Sequence, residues 1–157
     1  MTATESPPGN RSLRRGRVSV SGQVYHVTAR TVEHTQPFAE SATALAACRA
    51  IHKYFLGATS HCLTWVLMPD HGHWLIELAG AETLSNTVGA LKKAIATQVN
   101  VTRSSVGQTL WQAGFHDRAL REEDDVVVAA RYIVANPIRA GLAARVGDYP
   151  WWNAAWI

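Results

Sequence analysis

The sequence is short of charge, of cysteine and of long apolar runs, and each shortage excludes something. Charged residues are 17% of the 157 positions and hydrophobic ones 47%, a balance that excludes wholesale disorder. Two cysteines, Cys48 and Cys62, sit in apolar surroundings with no CxxC pair, so neither a disulfide framework nor a cysteine-built metal cluster is available. No stretch approaches the roughly 18 apolar residues of a membrane-spanning helix. Pro7-Pro8-Gly9 interrupts the N-terminal region, and no signal peptide is expected there. The expected compartment is the reducing cytoplasm, with no membrane partner. No internal repeat is visible, and the length suits one core rather than two domains.

What is present is uneven. The net charge of +3 is located entirely in residues 1–17, where Arg11, Arg14, Arg15 and Arg17 face a single acid, Glu5; the other 140 residues are neutral. Residues 1–17 therefore read as a flexible basic arm suited to a polyanion, and residues 18–157 as one domain.

Along that domain, the alternation from Val18 to Arg30 predicts a strand with Val24, His26 and Thr28 on one face and Tyr25, Val27 and Ala29 on the other. Ser41 is placed to cap a helix reaching Leu56, with Leu45, Cys48, Ile51 and Phe55 as its apolar stripe and Gly57 as its stop. Two strands are expected at His61–Met68 and His73–Leu78, separated by Pro69-Asp70-His71-Gly72 as a turn. A second helix, Leu84–Val99, carries Leu84, Val88, Leu91, Ile95 and Val99 inward and Lys92-Lys93 outward. Gly107–His116 reads as extended. The acidic run 122–125 suits a helix N-terminus, and that helix is expected to reach Asn136, before Pro137. The order β-α-β-β-α-β followed by a helix predicts an α+β, ferredoxin-like antiparallel sheet. Two helices cover one face, and the other is open or covered by the last helix.

Three groups of residues carry chemistry. In an extended segment His71 and His73 point to the same side, and paired imidazoles supply two neighbouring positions of a metal shell. Tyr132 lies one helical turn before Asn136, whose carboxamide oxygen is a fair ligand for a hard divalent ion; a core tyrosine is the competing reading. Lys92, Lys93, Arg103, Arg131 and Arg139 are either ordinary surface or phosphate contacts. Six tryptophans are mostly core, and Trp151, Trp152 and Trp156 either pin the tail or lie across a groove.

Four stretches, "VYHVTAR" (24–30), "VLMPDHGHWLIEL" (66–78), "TLWQAGFHDRAL" (109–120) and "RYIVANPIRAGL" (131–142), resemble the REP-associated tyrosine transposases in that family's order. These are small bacterial single-tyrosine HUH transposases related to the IS200/IS605 group. The resemblance implies that His71, His73 and Asn136 hold Mg²⁺ or Mn²⁺ and that Tyr132 is the nucleophile. It implies cleavage and rejoining of single-stranded DNA beside REP-type hairpins through a 5′-phosphotyrosine, with the arm arginines and Lys92, Lys93, Arg131 and Arg139 on the DNA. The location it implies is the bacterial cytoplasm, at the nucleoid, as monomer or homodimer.

Two residues depart from the family pattern. Gly72 stands where a bulky apolar residue is usual, a gap that Trp74 on the same face is placed to fill. Asp70 stands where asparagine is common, as an extra ligand, a support for His71 or a repulsion for phosphate. His26 is expected beside the histidine pair without ligating, and His116 either orients DNA or pairs with Asp117. Arg118 and Arg121 are expected in helix-end ion pairs. The alternatives are a hairpin-binding protein without catalysis and an unrelated metal-dependent phosphohydrolase.

Overall fold

A computed structural model describes residues 19–156. Arg11, Arg14, Arg15 and Arg17 lie outside the described residues. The elements are β1 (Val24–Arg30), α1 (Ser41–Gly57), β2 (His61–Met68), β3 (His71–Glu77), α2 (Leu84–Thr102), β4 (His116–Leu120), α3 (Glu123–Val134), a short α4 (Asn136–Arg139) and β5 (Trp152–Ala154). The strands form one antiparallel sheet in the order β4-β1-β3-β2-β5. Its first four strands are the ferredoxin-like order that the element sequence predicts.

Each face of the sheet has its own apolar cluster. Tyr25, Val27, Ala29, Trp74 and Ile76 point to the side that α1 and α2 cover, together with Leu84, Val88, Leu91, Ile95 and Val99. Val66, Met68, Leu75 and Leu120 point to the other side, beneath Ala129, Ala130 and Ile133 of α3. Thr83 caps α2 by accepting from the Asn86 N–H, one of the donors a helix start leaves without a partner.

Several boundaries differ from the sequence reading. β1 starts at Val24, because Gly22 at φ +81° turns the chain out of the extended run. The cap position of α1 is Glu40, with Ser41 already helical. The buried face of α1 is Ala44, Ala47, Ala50 and Ile51, while Leu45 is 40% exposed. Both sets repeat every three to four residues, and small side chains let the helix lie close to its neighbours. The turn between β2 and β3 is Pro69-Asp70 alone, with Met68 opposite His71, so the histidines are inside a strand. The chain from Gly107 meets the sheet only through a single bridge, Trp111 to Thr31, before β4 begins at His116.

Lys92 is a further correction. It is half-buried, and its ammonium donates to the carbonyls of Gln112 (2.8 Å) and Gly114 (2.7 Å), so it braces the chain leading into β4 instead of facing out. The last helix also stops early, at Val134. Pro137 has no N–H to offer the carbonyl four residues back, so Asn136 starts the separate turn α4. The tryptophan-containing tail is pinned: Trp152–Ala154 pairs with β2, and the Tyr149 hydroxyl donates to the Leu67 carbonyl at 2.6 Å. Burial pushes that phenol up to about 12. Both cysteines are free thiols, also raised by burial.

Candidate active site on the α3 face of the sheet

Side chains directly opposite in antiparallel strands share a face. The register therefore lays out rows on the α3 side: Met68, His71 and Arg30; then Val66, His73, Thr28 and His116; then Leu75, His26 and Arg118. Strand alternation alone puts three histidines of β1 and β3 on this face.

The two histidines of the HxH motif have ring centroids 5.0 Å apart. Nδ1 of His71 lies 2.6 Å from Oδ1 of Asp70. Nδ1 of His73 lies 3.0 Å from Oγ1 of Thr28 and 3.1 Å from Nε2 of His26. In each ring Nδ1 is committed within the protein, which leaves Nε2 for another partner. That is how metal-binding imidazoles are held: the second nitrogen donates to a carboxylate, a hydroxyl or another acceptor, setting tautomer and orientation. Burial is the main cause that drives His73 down to about 3, helped by the charges of His71, His26, Arg30 and Arg139. Burial and then Arg118 also lower His26. Each shift favours the neutral ring, the state in which imidazole can ligate.

Tyr132 lies on α3 and is 51% exposed. Its ring stands 6.3 Å from that of His26, edge to face, so His26 neighbours both His73 and the tyrosine. The guanidinium carbon of Arg139 lies 3.7 Å from the centroid of the Tyr132 ring, and its Nη2 donates to the Tyr132 carbonyl at 2.6 Å. A cleft of about 390 Å³ runs beside the tyrosine, lined by His26, Thr28, His116, Asp117, Arg118, Val128, Ala129 and Tyr132.

Asn136 is less simply placed. The break at Ala135 separates it from the helix of Tyr132. Its Nδ2 is buried without a protein partner, and a half-turn of the carboxamide exchanges nitrogen for oxygen at that position. The donor set suits a divalent ion: two imidazole nitrogens and an amide whose buried end has no protein partner. Among the described residues, no group of three His, Cys, Asp or Glu side chains gathers to hold an ion. A bound ion would take a mixed shell, completed by oxygen ligands from outside the protein.

The remaining sequence candidates fall into distinct places. Asp70 and His26 sit where they support His71 and His73, and His116 lies in the same row as His73. Arg131 is exposed on α3. Lys92 and Lys93 belong to α2, on the opposite face of the sheet. Arg118 lines the cleft on β4. Gly72 and Trp74 make the expected small–large pair: a Cβ at Gly72 would lie 2.7 and 2.8 Å from Cζ2 and Cζ3 of Trp74, and closer to Cη2. The sequence reading missed Thr28 and Arg30 as site residues. The signal was available, since Thr28 shares the His26 face, but a threonine in a strand has no chemistry of its own until a register places it against His73.

Comparison with known proteins agrees with this geometry. The chain is 29% identical over 87 residues to a REP-associated tyrosine transposase of Escherichia coli (strain K12), a match covering 55% of this chain and 49% of that one. The chain thus spans about half the length of the curated relative it matches. Among solved structures, a REP-associated tyrosine transposase bound to a REP hairpin superposes with a TM-score of 0.71 at 22% identity, covering 87% of this chain and 79% of the other. A putative transposase from Deinococcus radiodurans superposes with a TM-score of 0.57 at 20% identity, over 75% of this chain and 93% of that one. At these identities the likeness is one of fold. The sequence model described as "Transposase IS200 like" matches residues 19–136, from before β1 to Asn136. With three quarters of its length matched, and with paired histidines and an exposed tyrosine on one face of the sheet, the chain belongs to the IS200-like transposase family.

Proposed function

We propose that the chain cleaves and rejoins single-stranded DNA beside a folded-back hairpin of the REP type, through a covalent 5′-phosphotyrosine on Tyr132. Family membership implies a metal-dependent HUH mechanism. The specific reading is a Mg²⁺ or Mn²⁺ ion held by His71, His73 and Asn136. One observation carries it: both histidines have Nδ1 anchored, by Asp70 in one case and by Thr28 and His26 in the other, and both keep Nε2 in reserve. Held by these residues, such an ion would polarise the phosphoryl oxygens and stabilise the departing oxygen.

The chain's own residues do the rest. Tyr132 presents its hydroxyl at the edge of the cleft, where single-stranded DNA has access. Its oxygen bonds to phosphorus while the bond from phosphorus to the 3′-oxygen breaks; the phenol loses its proton and the leaving oxygen becomes a free 3′-hydroxyl. The new ester conserves the phosphodiester energy for rejoining. His116 and Arg118 face the cleft and Arg131 lies on the helix above it, placing donors and positive charge along the path of the strand. The arm arginines add a sequence-independent grip. Lys92 and Lys93 stand on the far side of the sheet, Lys92 bound to the carbonyls of Gln112 and Gly114.

The test is a labelled hairpin with a single-stranded flank, incubated with the protein and Mn²⁺ and run on a denaturing gel. A covalent protein–DNA band is expected, absent with Tyr132→Phe while hairpin binding is retained. Hairpin binding with no adduct from the unaltered protein would identify a binding protein instead. Multiple-turnover hydrolysis surviving Tyr132→Phe would identify a phosphohydrolase.

A further inference from the structure

We propose that Arg139 is a positioning residue for Tyr132: one guanidinium, stacked on the phenol ring and bonded to the carbonyl of the same residue, sets the orientation from which the hydroxyl reaches DNA. This inference rests on Tyr132 being the nucleophile.

The geometry assigns Arg139 to the tyrosine more than to a phosphate. Its carbon is 3.7 Å above the ring centroid and its Nη2 is 2.6 Å from the Tyr132 oxygen, so its face and one edge are both occupied. A planar, delocalised cation with donors around its rim can do both at once.

The backbone explains how residues seven apart come to meet. In a straight helix they share a face but stand about 10 Å apart along the axis. Helical side chains lean toward the N-terminus, so Arg139 on α4 reaches back over the end of α3. There it meets a carbonyl of the last turn, where a helix leaves acceptors without intrahelical partners. The break at Ala135 thus ends α3 just beyond the tyrosine, and Arg139 caps that end.

The need for such a clamp follows from exposure. Tyr132 is 51% exposed, and its described ring contacts are His26 at 6.3 Å, edge-on, and Arg139 on its face. A half-exposed ring samples its rotamers, and in-line attack on phosphorus tolerates little misplacement. The stack restricts the ring without covering the hydroxyl's approach to the cleft.

The test uses the full chain and the variants Arg139→Gln and Arg139→Lys. Single-turnover adduct formation is followed across hairpin concentrations, giving a maximal rate and a half-saturating concentration. The same proteins, labelled with 3-fluorotyrosine, are examined by fluorine NMR, with the Tyr132 signal identified by its loss in Tyr132→Phe. Both variants are expected to lower the maximal rate by about tenfold or more. The half-saturating concentration should stay within about twofold, as expected when binding is untouched. The Tyr132 resonance should move in both variants while those of Tyr25, Tyr54 and Tyr149 stay in place, which reports an intact fold.

Full rescue by lysine would overturn the proposal, as would a loss of rate that disappears at saturating hairpin; each marks an ordinary phosphate contact. An unmoved Tyr132 resonance would overturn the stack itself. An adduct still formed by Tyr132→Phe would overturn the nucleophile reading and this role with it, whereas a normal rate in Arg139→Gln beside an inert Tyr132→Phe overturns this role alone.

Discussion

The two faces of the sheet are made by the same strands and do opposite work. On the α1/α2 face, β1 and β3 contribute Tyr25, Val27, Ala29, Trp74 and Ile76 to an apolar cluster that α2 closes with five buried residues. On the α3 face the alternate residues of those strands include His26, Thr28, His71 and His73, and apolar packing under α3 is confined to a smaller cluster that takes in Leu75. A residue on the first face is held by shape, one on the second by directed bonds from one atom to another. The period of two in a strand lets a single heptapeptide, HGHWLIE, serve both: Gly72, Trp74 and Ile76 build the core while His71 and His73 face the chemistry. Changes on the second face should therefore cost activity with little stability, and changes on the first the reverse.

The largest expected departure is His73→Ala. It removes a proposed ligand together with the Nδ1 that Thr28 and His26 share, so adduct formation should fall more than about 100-fold, beyond what loss of a supporting group costs. If the adduct rate survives within tenfold, the histidine pair is not the metal centre. Asp70→Ala comes next. It deletes the carboxylate on Nδ1 of His71 but keeps the backbone carbonyl that holds Thr31, and Mn²⁺ affinity by titration should fall about 10- to 100-fold. Unchanged affinity would mean that Asp70 does not orient the ring.

Gly72→Ala tests the other face. The added methyl meets the Trp74 indole inside a closed core, and overpacking of this kind costs about 1–3 kcal/mol. Urea denaturation should show that loss, with a smaller proportional effect on adduct rate below the transition. A stability change under about 0.5 kcal/mol would mean the indole relocates freely, contrary to a close-packed interior.

The smallest effect is expected from Tyr149→Phe, which deletes one hydrogen bond to the Leu67 carbonyl and should cost about 1 kcal/mol. It also has a pH signature. The phenol is raised by burial to about 12 in the folded chain, against an ordinary value near 10. Its contribution is therefore complete below about pH 10 and lost as pH rises toward 12. The unaltered protein should lose stability across that window and Tyr149→Phe should lose less of it. Parallel alkaline decline in both would detach the tyrosine from the tail's docking.

How much was legible follows from where the information resides. The strand period put His26 and Thr28 together opposite Tyr25 and Val27, and the helical period of α2 identified all five of its buried apolar residues. The small–large pairing of Gly72 with Trp74 was readable because both lie on one face of one strand. Other features were not readable from local pattern. Leu45 and Ala44 satisfy the same helical period, and only the neighbours of α1 decide which is buried. Lys92 read as solvent-facing because no local rule shows that the chain twenty residues later brings two carbonyls to its ammonium. Asn136 read as continuing the tyrosine helix, and the helix breaks at Ala135.

By itself, then, the sequence determined the order of the main elements, the same-side pairing of the two histidines in an extended segment and their membership, with the tyrosine, in a recognisable set of motifs. These are local properties, carried by backbone periodicity and by which side chains bear ligating atoms. Tertiary structure alone decided which nitrogen of each histidine is spent. It also decided that His26 stands between His73 and Tyr132, and that Arg139 lies on the tyrosine ring and not in open solvent. Those outcomes depend on strand register and on the angle at which α4 leaves α3, and both are set by packing between segments far apart in the chain.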